Sequence, residues 1–171
     1  MDWKEKAKGI VLWLFKPEMG KAYLIRVLIL AAAAFLFFGV FCRPMFLNGK
    51  SMEPNYHTGT LNFCWSPTYW FRQPARGDVG VFRYAGNRVL LLKRIVAFPG
   101  EIVEFRQGDL YVNGIKLEEP YVKTKRASWN LPPRKVSEGH YYVVGDNRSV
   151  PMYQHKFGEI RQSRLEGGLL L

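Results

Sequence analysis

The chain has 171 residues and a formal net charge of +11, room for one membrane segment and one soluble domain of ordinary size. It holds no internal repeat, no Cys/His ligand spacing and no phosphate loop, which argues against an array and leaves no metal or organic cofactor expected. Six Lys/Arg and three acids fall in residues 1–26 and the remaining basic residues are scattered, so anionic lipid headgroups suit the charge better than nucleic acid, which is not an expected partner.

Gly9 to Phe15 (GIVLWLF) sits between lysines and includes Trp13, a pattern for a short interfacial helix. From Ala22 to Cys42 the chain reads AYLIRVLILAAAAFLFFGVFC, with 16 uncharged residues after Arg26 and 21 in all if Arg26 snorkels to the headgroups. That length spans a bilayer once. A buried helix of a soluble protein is the competing reading. Lys4, Lys6, Lys8, Lys16, Lys21 and Arg26 crowd the N-terminal side, while only Arg43 and Lys50 follow closely. The positive-inside rule then puts residues 1–21 in the cytoplasm, 22–42 in the membrane and 43–171 outside. No small-residue cleavage site follows the span, so it does not read as a removable signal. Cys42 at its end and Cys64 beyond it are expected at different depths and therefore unpaired.

Beyond the span, apolar stretches shorten and turns multiply. Thr60 to Trp65, Asp78 to Tyr84, Arg88 to Phe98, Glu101 to Arg106 and His140 to Val144 are rich in β-branched and aromatic residues and have strand length. Asn113-Gly114 between Leu110-Tyr111-Val112 and Ile115-Lys116-Leu117 predicts a hairpin with a type I′ turn. Pro99-Gly100 and Gln107-Gly108-Asp109 mark further turns. Thr124 to Glu138, with Pro132-Pro133, reads as an exposed loop. The fold class is thus mainly β: an antiparallel sheet domain behind one transmembrane helix, with residues 102–139 as a hairpin and loop insertion.

Two residues suggest chemistry. Ser51 lies in Gly49-Lys50-Ser51-Met52-Glu53-Pro54, and Lys93 interrupts the apolar run Val89 to Val96. A serine needs a base to become a nucleophile, and a lysine is a base only when neutral. In an extended strand Lys93 shares a face with Leu91 and Ile95, so it can point into an apolar interior. Burial disfavours the ammonium form.

Four blocks in order, Gly49-Lys50-Ser51-Met52-Glu53-Pro54, Arg76-Gly77-Asp78-Val79-Gly80-Val81-Phe82, Leu92-Lys93-Arg94-Ile95-Val96-Ala97-Phe98-Pro99-Gly100-Glu101 and Gly145-Asp146-Asn147-Arg148, stand behind the membrane span. With them the chain resembles bacterial type I signal peptidases, membrane-anchored serine endopeptidases that remove signal peptides from exported proteins. The resemblance implies that Ser51 attacks the scissile carbonyl, that Lys93 takes its proton and later activates water, and that the Ser51 backbone N–H stabilises the oxyanion. The family's second donor, a hydroxyl two residues before the nucleophile, is replaced by Gly49. Met45, Leu47, Met52, Val81 and Leu92 would line shallow pockets for small residues of an extended signal peptide, although each suits a core equally well. Arg94, Asp146, Asn147, Arg148 and Ser149 would support the site. The implied partners are signal peptides of exported preproteins, the lipid bilayer and the secretion translocon. The implied location is the bacterial cytoplasmic membrane, where Trp65, Tyr69, Trp70 and Phe71 either dip into lipid or pack in the core.

One stretch departs from the resemblance. Pro151 stands where the family has a serine that orients the lysine, and Tyr153 and His155 stand where it has an Asp and an Arg. Either the hydroxyl of Ser149 or Tyr153 reaches Lys93 from a shifted position, or the chain is a catalytically impaired β module that binds extended peptides or an assembly partner. A self-cleaving repressor-type protease shares the Ser/Lys chemistry but not the span. His57, His140 and His155 show no motif spacing and read as structural.

Overall fold

The computed structural model describes residues 3–14, 20–84 and 89–170. They form two compact units, residues 1–40 and 41–171.

The first unit holds α1 (Trp3–Leu14) and α2 (Lys21–Leu36), which continues as a π-helical turn over Phe37–Phe41. Helix α1 extends further toward the N-terminus than the expected Gly9 to Phe15, and Phe15 lies outside the described residues. Lys21–Phe41 is long and apolar enough to cross a membrane. Arg26, its one charge after Lys21, is buried because its guanidinium stacks over Trp13 and donates to the carbonyls of Trp13 and Ala22. Aromatic stacking and hydrogen bonds offset the cost of placing that cation in an apolar helix.

The second unit is antiparallel β. Its strands are β1 (Cys42–Phe46), β2 (Leu61–Trp65), β3 (Val79–Arg83), β4 (Leu90–Ala97), β5 (Ile102–Arg106), β6 (Asp109–Val112), β7 (Ile115–Lys116), β8 (Leu131–Lys135), β9 (His140–Val144), β10 (Gly158–Arg161) and β11 (Leu165–Leu170). Seven of them form one sheet in the order β1-β2-β11-β3-β4-β9-β10, and four form a second in the order β7-β6-β5-β8. The β6–β7 turn is as expected: Val112 pairs with Ile115, and Asn113 and Gly114 both take positive φ, 53° and 78°, as a type I′ turn requires.

Two expectations need correction. Residues expected in a loop include β8, whose Pro132 and Pro133 lie on an edge of the second sheet. Pro is tolerated there because an edge strand has one side without ladder bonds. Cys42 begins β1, an edge of the first sheet, beside β2 and its Cys64. Both thiols are buried and free, so their separate state does not come from membrane depth. Arg88, the expected start of β4, lies outside the described residues.

Alternation along β4 separates two apolar clusters. Leu92 joins Met45, Leu47, Met52, Cys64 and Val81 on one side, and Ile95 joins Phe82, Tyr141, Val143 and Ile160 on the other. The largest cluster, with Trp129, Phe105, Leu110 and Tyr142, welds the small sheet to β4 and β9. Each such side chain contributes about 1.5–3 kcal/mol of burial, which makes a rigid base for the site.

Candidate active site

Ser51 sits in the turn after β1, and Lys93 lies in the middle of β4. Lys93 Nζ is 2.6 Å from Ser51 Oγ, within hydrogen-bond distance. The lysine is 3% exposed. Burial pushes its pKa down to about 8; Asp146 opposes this shift and the cation of Lys156 adds to it. About a tenth of Lys93 is therefore the free amine at pH 7 and about half at pH 8, and the lone pair of that form can accept the Ser51 proton.

Serine geometry is set by the loop that follows β9. Asn147 donates from its backbone to Ser51 O at 3.0 Å and from Nδ2 to Lys50 O at 2.9 Å. Gly145 lies so close that a Cβ there would be 2.2 Å from Ser51 O. The Ser51 backbone N–H has no acceptor among the described residues, which leaves it able to meet developing negative charge. Gly49 has φ 110° and donates its N–H to Thr58 Oγ1 at 2.8 Å.

A largely buried ion pair joins three of the sequence blocks and reaches the loop that follows the first. Arg94 donates Nε and Nη2 to the two oxygens of Asp146 at 2.8 and 2.5 Å, and Nη1 to Gly77 O at 2.6 Å. Asn55 Nδ2, on the Ser51 loop, also donates to Asp146 at 2.8 Å. The guanidinium carbon of Arg94 stands 3.9 Å from the centre of the Tyr121 ring. Arg148, fully buried, donates to Gly145 O and Glu119 Oε1, both at 2.7 Å, between the rings of Phe105 and Trp129.

Beside Ser51 lies a cavity of about 40 Å³, lined by Met45, Leu47, Met52 and Leu92 together with Gly49 and Tyr56. Val81 is fully buried in the same cluster but does not line the cavity. A wider cavity of about 470 Å³ opens over Ser51 and Lys93. Phe46, Asn48, Leu90 and Leu91 line both cavities.

Residues 20–170 match the profile of the signal peptidase family, peptidase S26. The chain belongs to this family. It is 34% identical over 173 residues to Signal peptidase I of Bacillus amyloliquefaciens, covering 95% of this chain and 85% of that protein. It is also 34% identical over 161 residues to Signal peptidase I T of Bacillus subtilis, covering 88% of this chain and 81% of that protein. A crystal structure of a signal peptidase I from Enterococcus faecalis is similar with a TM-score of 0.48 and 31% identity, over 58% of this chain and 98% of that chain. Membership makes the chain a serine endopeptidase.

Neither hydroxyl considered in place of the missing serine bonds Lys93. Ser149 Oγ donates to Asn147 Oδ1 at 2.5 Å, and Tyr153 is 84% exposed. Sequence reasoning missed three things here. It did not name Asn48, Tyr56 or the Phe46 and Leu90–Leu91 walls of the cavities. It did not see the Glu119 partner of Arg148, 29 residues away. It did not place His155, which packs against Trp129 and lines the cavity that holds Lys93.

Proposed function

We propose that the chain removes signal peptides from exported preproteins, with Ser51 as nucleophile and Lys93 as general base. The observation that carries this reading is the 2.6 Å approach of a buried lysine amine to the serine hydroxyl. Neutral Lys93 accepts the Ser51 proton as Oγ bonds the scissile carbonyl carbon, and the Ser51 N–H steadies the oxyanion. Collapse expels the new N-terminus, protonated by the lysine. The amine then deprotonates a water that hydrolyses the acyl ester.

Substrate docks by strand addition. Strand β9 reaches only as far as Val144, opposite Arg94, so Leu90 to Leu92 have β3 on one side and no strand on the other among the described residues. An extended peptide laid along that side delivers one side chain into the 40 Å³ cavity, which has room for a small residue only. Small size at the cut is thus selected by Met45, Leu47, Met52 and Leu92, with Val81 packed beneath.

The apolar helix anchors the enzyme in the bacterial cytoplasmic membrane, with residues 1–21 in the cytoplasm and residues 43–171 outside. Lysines before the helix support this orientation. Exposed Trp70 and Phe71, 54% and 91% accessible, meet the bilayer, and the translocon delivers the substrate. The test is processing of a preprotein in detergent by wild type, Ser51→Ala and Lys93→Ala. Wild type alone cuts after a small residue, and its rate rises with pH through about 8 as the lysine deprotonates. A Ser51→Ala enzyme that cuts as well as wild type, or a rate that is flat from about pH 6 to 9, overturns the dyad.

A further inference from the structure

The wide cavity over the dyad has two parts. Phe46, Asn48, Gly49, Ser51, Leu90 and Leu91 line both it and the 40 Å³ cavity, which on the proposed docking takes the side chain before the cut. Its polar lining beyond these is Lys50, Lys93, Asn147, Gln154, His155 and Lys156. A peptide with one side chain in the small cavity and its scissile carbonyl at Ser51 runs its leaving segment into this second part.

That part is cationic. Among the described residues no Asp or Glu lines the wide cavity, while three lysines do. Lys50 and Lys156 are exposed, and neither ammonium makes a hydrogen bond or ion pair among the described residues. The backbone of Lys50 is held through its carbonyl, which accepts from Asn147 Nδ2 at 2.9 Å. Lys156 Nζ lies 5.1 Å from the centre of the Tyr84 ring, and its charge is felt at Lys93. Two acids in the neighbourhood do not offset these charges. Asp146 is engaged by Arg94 and Asn55. Glu159 accepts from Ser137 N at 3.1 Å and lines a different cavity of about 290 Å³, which shares Lys93, His155 and Lys156 with the wide one. A cleft lined by one sign of charge attracts the opposite sign and disfavours its own.

We infer that Lys50 and Lys156 are specificity-determining residues for the leaving side of the substrate: they favour preproteins with an acidic residue directly after the cut and reject those with a basic one. The proposal rests on the signal-peptide reading of the site. It adds a choice by charge after the cut to the choice by size before it.

The test uses the full chain in detergent and three preproteins that differ only in the two residues after the cut: Asp-Asp, Ser-Ser or Lys-Lys. A pair is varied because neighbouring side chains of an extended chain point to opposite sides, so one of the two meets the cleft. Wild type should process Asp-Asp with a kcat/KM about tenfold above that for Lys-Lys, with Ser-Ser between, because each exposed charge pair is worth up to about fivefold. The ratio should shrink when salt is raised from about 50 to about 500 mM. Lys50→Gln/Lys156→Gln should bring it within about twofold, and Lys156→Arg should keep it. Each ratio is taken within one enzyme, so a change that losing Lys156 makes at Lys93 acts on all three preproteins alike. A wild-type ratio within about twofold overturns the proposal. So does a ratio that survives in the double variant, or one that is the same when the charged pair is moved ~20 residues downstream, far beyond a Debye length. Ser51→Ala runs alongside. If it cuts as well as wild type, or if wild type cuts none of the three, the signal-peptide reading falls and this role with it. An inactive Ser51→Ala beside an active wild type with a flat ratio removes this role alone.

Discussion

Lys93 should make the folded protein less stable at neutral pH. Its pKa falls from an ordinary 10.5 to about 8, with burial as the largest cause. Between those values the unfolded chain holds the proton and the native chain does not, so stability rises with pH across this window. Each unit corresponds to about 1.4 kcal/mol, so below pH 8 the lysine costs about 3 kcal/mol; the cost falls to about 2 kcal/mol at pH 9 and under about 1 kcal/mol at pH 10. Methionine has similar length and no charge. Comparing Ser51→Ala with Ser51→Ala/Lys93→Met removes the Ser51 hydrogen bond from both sides and prevents self-cleavage. Denaturant unfolding of the full chain in detergent should find the double variant more stable by about 3 kcal/mol at pH 7, with the gap closing toward pH 10. A gap of the same size at every pH, or a less stable double variant at pH 7, would refute the claim that burial neutralises this lysine.

Gly145→Ala should lower kcat about a hundredfold with the β-sheet circular dichroism retained. A Cβ 2.2 Å from Ser51 O and 3.2 Å from Ser51 Cβ forces the nucleophile off its line, and a wild-type rate in this variant would show that the loop gives way instead. Glu119→Ala should destabilise by about 3–5 kcal/mol because it strands the buried Arg148 charge, whereas Glu119→Leu with Arg148→Met should regain most of that loss. Urea unfolding distinguishes the cases, and a double variant no more stable than the single one would contradict the pairing argument.

What the sequence made legible was whatever depends on near neighbours. Asn113-Gly114 dictates a hairpin turn because both positions need positive φ, and the apolar run around Lys93 carries a strand whose lysine can face inward. Strands β1 and β8 escaped because Pro44, Pro132 and Pro133 argue against a strand, and only the sheet order reveals that both lie at edges. Strand β11 escaped because Gly167 and Gly168 lack the β-branched and aromatic side chains by which a strand is read. A Cβ on Gly167 would stand 2.4 Å from Trp65 O, so the glycine serves close packing between strands. Of the site, the charges Arg94 and Asp146 were legible as block residues, but their pairing was not. The cavity walls at Asn48 and Leu90–Leu91, the Glu119 partner and the place of His155 arise from contacts between distant segments, which local pattern does not carry.

Lys93 and Arg94 show how one strand sets two opposite electrostatic fates. They are adjacent in sequence, so their side chains leave opposite faces of β4. Arg94 enters a face where Asp146, the Gly77 carbonyl and the Tyr121 ring meet its whole guanidinium, and there it stays charged. Lys93 enters an apolar face, where the cost of burial falls on its charge and the proton is what gives way. Asp146 still favours the ammonium form of Lys93, but its carboxylate already takes three hydrogen bonds from Arg94 and Asn55. Placing the arginine next to the lysine therefore does more than brace the loop. It draws off the Asp146 carboxylate, which would otherwise hold the lysine in its charged form, where it cannot accept the serine proton.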